Sequence, residues 1–100
     1  MAVTSKALAR TAAATSSTTL YTVPASTTAI ITNIAICNNA ASAGTFTILL
    51  DDIELQKDTA IAANSTIYID LKQVLATTKT IKGLASAVTV DFHISGVEIA

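Results

Sequence analysis

Asp91, His93 and Ser95 stand two residues apart in "VTVDFHISGVEI", residues 88–99. Those residue types can build a nucleophile activated by an oriented general base. His93 is the only imidazole in the chain. The same stretch alternates, with Val88, Val90, Phe92 and Ile94 on one face and Thr89, Asp91, His93 and Ser95 on the other, which is the pattern of a half-buried strand. Residues two apart on a strand lie about 7 Å apart, beyond direct hydrogen-bond reach for most rotamers. The triplet therefore reads as a polar exterior, and no catalytic residue is assigned.

Other chemistry has a small stock to draw on. Cys37 is the only cysteine, so neither an intrachain disulfide nor a cysteine-based zinc site is available, and its apolar setting in "IITNIAIC" reads as a small buried thiol. One histidine does not make a zinc site without carboxylates from loops. Asp51-Asp52 raises calcium, but no alternating Asp/Asn loop with a terminal Glu surrounds the pair; between "TFTILL" and "IELQK" it reads as a tight hairpin turn. Gly44, Gly83 and Gly96 are too far apart for a phosphate cradle. No metal or cofactor is assigned.

The chain of 100 residues is the size of one domain and can bury a core without staples. Charged residues make up 13% of it, where roughly 25% is usual, and Thr11 to Leu50 holds no Asp, Glu, Lys, Arg or His. A free surface is rarely built that way, so much of this stretch is expected to lie against a neighbour. Six Lys and Arg, scattered among four aromatics, leave no electrostatic footprint for nucleic acid. No run approaches 18 apolar residues, which excludes a membrane-spanning helix. The N-terminus has no apolar core of the kind a secretory signal needs.

From about Leu20 onward the hydrophobic period is two. "TAIITNIAIC", "TFTILL", "IELQK", "TIYIDLK", "TKTIKG" and the segment opening at Val88 read as strands, with "NNAASAG" and "LASA" as links. "DLKQVL" carries a helical cue, since Asp70 could cap, Gln73 follows three residues later, and Leu71, Val74 and Leu75 share a face. One helical turn is expected there, Gly83 is expected to end a strand, and Gly96 to mark a bulge or turn. "VPASTTAII" (23–31) echoes "IAANSTIYI" (61–69), each a polar turn feeding a strand. The pattern predicts an all-β chain: an antiparallel β-sandwich, jelly-roll-like, of about seven to eight short strands (19–100), preceded by an extended N-terminal arm (1–18).

As a set, "LYTVPASTTAIITNIAICN", "GTFTILLDD", "IAANSTIYIDLKQVL" and "ISGVEI" make the chain, from about Thr19 to Ile99, resemble small, nearly all-β virion proteins of tailed bacteriophages. Such proteins decorate and cement heads or form parts of tail fibres and baseplates. The resemblance implies a particle component, the head favoured over the tail, with the major capsid protein (or tail proteins) as partner. It also implies a homo-oligomer, by analogy a trimer, and it brings no catalytic residues. Lys6, Leu8, Arg10, Thr18, Leu20 and Tyr21, on and beside the arm, are the expected interface. The alternative is a tail-fibre or baseplate module binding host glycans through "NNAASAG" and "ATTKTIKG".

Overall fold

The computed structural model describes residues 2–100. Eight strands follow one another: β1 (Val3–Ala12), β2 (Thr18–Thr22), β3 (Thr28–Asn38), β4 (Gly44–Leu50), β5 (Ile53–Ile61), β6 (Ser65–Leu75), β7 (Thr80–Ala85) and β8 (Val90–Ile99). All pairings are antiparallel, and β1 with β8, β2 with β7, β3 with β6 and β4 with β5 are the pairs of one long hairpin folded over on itself. Two further pairings, β3 with β8 and β4 with β7, complete the sheets β1-β8-β3-β6 and β2-β7-β4-β5. This is the eight-stranded jelly roll, a β-sandwich as the alternation predicts.

Alternation places the core. Phe92 and Ile94 of β8, Ile34 and Ile36 of β3, Phe46 and Ile48 of β4 and Ile81 of β7 are fully buried. Phe46 from one sheet meets Phe92 from the other edge to face, with ring centres 6.4 Å apart and planes at 74°, the favoured arrangement for an aromatic pair. Asp51 and Asp52 both have positive φ, 54° and 61°, as a two-residue hairpin turn of the primed kind requires. The echo between 23–31 and 61–69 is also structural. Ser26 and Asn64, aligned in it, share a left-handed φ of 55° and 52°. The next hydroxyls, Thr27 Oγ1 and Ser65 Oγ, donate to Ala25 O and Ala63 O in matching fashion.

Four expectations are corrected. The "DLKQVL" segment is not helical but continues β6, because its inner residues pair along β3 as far as Ala29–Leu75. The i, i+3 cue there coincides with a bulge, Leu71 and Lys72 standing opposite Thr32 alone. Gly83 does not end a strand but sits inside β7, and Gly96 lies inside β8. Val88 precedes β8 and is 64% exposed. Within the segment expected as an arm (1–18), Val3–Ala12 form β1, which pairs with β8 from Val3–Ile99 to Ala12–Asp91 at an edge of the sandwich.

Two glycines accept that edge. Leu8 is the bulged residue of β1 and Leu20 that of β2, and a bulge turns a side chain away from simple alternation. Leu8 packs over Gly96, where an added Cβ would lie 3.0 Å from Leu8 Cδ1 and 2.2 Å from the Ile30 carbonyl oxygen. Leu20 packs over Gly83, where a Cβ would meet Leu20 Cδ1 at 2.9 Å. The two knobs plug the β1–β2 side of the core.

Candidate functional site

On β8 the inward series Val90, Phe92, Ile94 and Gly96 is buried, and the outward series carries Asp91, His93 and Ser95. The three polar side chains do not converge. The Asp91 carboxylate accepts from Asn39 Nδ2 at 3.0 Å, while exposed His93 stands between Arg10 of β1 and Ala35 of β3. Among the described residues no group of three or more His, Cys, Asp or Glu is placed to hold a metal ion. Asp51 and Asp52 face lysines: Lys79 Nζ is 3.6 Å from Asp51 and Lys82 Nζ is 2.6 Å from Asp52.

The six residues expected at an interface divide. The phase change at the β1 bulge turns Lys6 and Leu8 inward and leaves Arg10 on the outer face. Leu8 is 8% exposed and belongs to the core. Lys6 reaches Glu98 Oε1 at 3.3 Å, and Tyr21 donates its hydroxyl to the other oxygen of the same carboxylate. Glu98 continues the inward phase of β8 at the rim of the sandwich. The Tyr21 hydrogen bond foremost, with Lys6 adding to it, holds the Glu98 carboxyl below the usual range against the opposing effect of burial. Burial first, then Glu98, raises the Tyr21 phenol above its ordinary value. Arg10, Thr18 and Leu20 line a cleft of about 250 Å³ between β1 and β2. Lys6, Arg10 and Thr18 of the six are exposed.

The surface that the fold assembles lies elsewhere. At one end of the sandwich sit the β1–β2 loop (13–17), the β3–β4 loop (39–43), the β5–β6 loop (62–64) and the β7–β8 loop (86–89). Backbone hydrogen bonds knit them together. Asn39 N donates to Thr89 O at 3.0 Å, Asn64 N to Ala40 O at 3.0 Å, and Ala85 N to Ala14 O at 3.0 Å. Buried Asn38, inward at the end of β3, donates from Nδ2 to Ser42 O at 2.8 Å and to Ala62 O at 3.3 Å, and its Oδ1 accepts from Ala40 N.

These four loops read AATSS, NAASA, AAN and SAVT. None contains Asp, Glu, Lys, Arg or His, and exposed positions include Thr15, Ser16, Ala41, Ser42, Ala62 and Val88. The opposite end carries Asp51, Asp52 and Lys79. An end of small, neutral side chains desolvates cheaply and admits close backbone approach, which suits a contact surface whose centre is depleted of charge. Of the two loops expected to form a glycan site, "NNAASAG" lies at this end and "ATTKTIKG" begins at the other, where Thr78 N donates to Val23 O at 3.1 Å. They do not form one site. No protein-family model matches the chain, and no curated protein matches it.

Proposed function

We propose that this chain is a structural component of a virion, a capsid decoration (cement) protein of a tailed bacteriophage that seats its uncharged loop end on the assembled head. The observation that carries the reading is the gathering of four charge-free loops, drawn from the whole length of the chain, at one end of a jelly roll. The resemblance of "LYTVPASTTAIITNIAICN" and its companion segments to phage virion proteins supplies the setting. In this reading residues 13–17 of the N-terminal segment touch the shell as one of the four loops, while β1 stays in the body of the domain.

The mechanism is mechanical and follows from mass action. A protein that binds the assembled shell and not the free capsid subunits stabilises the shell by an amount that grows with occupancy. Ser, Thr and Asn side chains at the contact can exchange hydrogen bonds with water for hydrogen bonds with the shell, without the cost of burying an unpaired charge.

The test is reconstitution on purified heads that lack the protein. The wild-type chain is expected to saturate them and raise their disassembly temperature. Val88→Asp and Ala41→Asp, on exposed loop positions, are expected to fold normally and bind at least about tenfold more weakly, because each places a charge in the contact. Equal binding by these variants would overturn the reading.

A further inference from the structure

We propose that two copies of this chain associate about a two-fold axis through antiparallel pairing of β6 with β6, centred on Leu71. The inference does not rest on the virion reading.

On the β1–β2 side, Leu8 and Leu20 plug the gap between sheets. On the other side the inward row of β6, Ile67, Ile69 and Leu71, is only half-buried. Val74 and Ile53 flank a cleft of about 260 Å³ on this side, 65% and 71% exposed. Apolar residues facing the core without cover mark a missing neighbour.

The sequence of β6 states which neighbour fits. In antiparallel pairing about Leu71, Asp70 of each copy lies opposite Lys72 of the other, Tyr68 opposite Val74, and Ile67 opposite Leu75. Every match joins like faces. Asp70, Lys72, Tyr68 and Val74 are all on the outer, exposed face, and Tyr68 is 72% exposed, whereas Ile67, Leu71 and Leu75 follow the inner phase. Opposite charges and aromatic–aliphatic pairs directly across a ladder are the stabilising ones. Centring on Asp70 or on Lys72 would set a like charge against itself, and a slip of one residue in the pairing would set inner against outer positions.

β6 is also the edge best suited to the task. It is the longest edge strand, at 11 residues. Leu71 and Lys72, at the centre of the palindrome, have no ladder partner on β3. Among the other edges, β2 has only five residues, β1 bears two like charges, Lys6 and Arg10, and β5 bears Glu54, Lys57 and Asp58. A self-paired strand makes a closed, isologous contact and so predicts a dimer rather than a trimer.

Sedimentation equilibrium on the full chain tests this, with circular dichroism confirming that each variant is folded. The wild type is expected at twice its 10.2 kDa chain mass. Lys72→Asp and Asp70→Lys each convert both cross-strand ion pairs to like-charge pairs and are expected to weaken the dimer by about tenfold or more. Mixing the two variants restores opposite charges at both positions and is expected to give a heterodimer. The double variant Asp70→Lys/Lys72→Asp is expected to dimerise again. A monomeric or trimeric wild type, or a dimer indifferent to these exchanges, would overturn the proposal.

Discussion

The Tyr21 hydroxyl, on one sheet, donates to the carboxylate of Glu98, on the other, and Lys6 of β1 closes on the same carboxylate at 3.3 Å. A single inward-phase acid at the rim thus fastens three strands across the mouth of the sandwich.

That fastening sets a pH window. The Glu98 carboxyl is held low, so its share of stability is complete above the ordinary carboxylate value of about 4.3 and disappears as pH falls through its folded value. The Tyr21 phenol is raised, so its share is complete below the ordinary value of about 10 and is lost as pH climbs above it. Thermal unfolding of Tyr21→Phe should show a lower Tm at neutral pH and a flatter response at both extremes. An unchanged pH profile would show that the link contributes nothing.

Gly96 and Gly83 should respond differently to alanine. At Gly96 the new methyl meets a backbone carbonyl at 2.2 Å, which only displacement of β3 relieves, and the expected loss is about 3 kcal/mol or more. At Gly83 it meets side-chain atoms of Leu20 and Phe92 at 2.9 and 3.1 Å, and about 1 kcal/mol is expected. In a Leu20→Ala background the Gly83→Ala cost should shrink, while Leu8→Ala should not rescue Gly96→Ala. Denaturant titrations of the double-mutant cycles measure both couplings.

Phe92→Ala should cost about 3–5 kcal/mol, since it removes a fully buried ring and its edge-to-face partner at 6.4 Å. His93→Ala, one residue along but on the exposed face, should stay within about 0.5 kcal/mol. Urea midpoints of the two variants check the inner and outer assignment of β8 directly.

This contrast also marks what the sequence discloses. Alternation around Phe92 and around Phe46 is local, so the two-layer sandwich and its core could be read from the chain, as could the Asp51-Asp52 turn and the paired polar turns at Ser26 and Asn64. Bulges escaped because they interrupt the period that carries the signal. Lys6, Leu8 and Arg10 share one parity in sequence, yet the β1 bulge sends the first two inward and the third outward. In β6 an exposed apolar residue on the outer face, Val74, combined with inward Leu71 and Leu75 to mimic a helical spacing. The charge-free run from 11 to 50 was visible, but its union with 62–64 and 86–89 depends on jelly-roll topology, which brings loops distant in sequence to one end. Exposed Val88 belongs to that end and was masked by its place in an alternating stretch.

The most direct measurement is the location and copy number of the protein in purified particles, by quantitative mass spectrometry of separated heads and tails. Copies in the hundreds are expected with the heads, in fixed ratio to the major capsid protein. Recovery with the tails alone, or absence from the particle, would contradict the decoration reading.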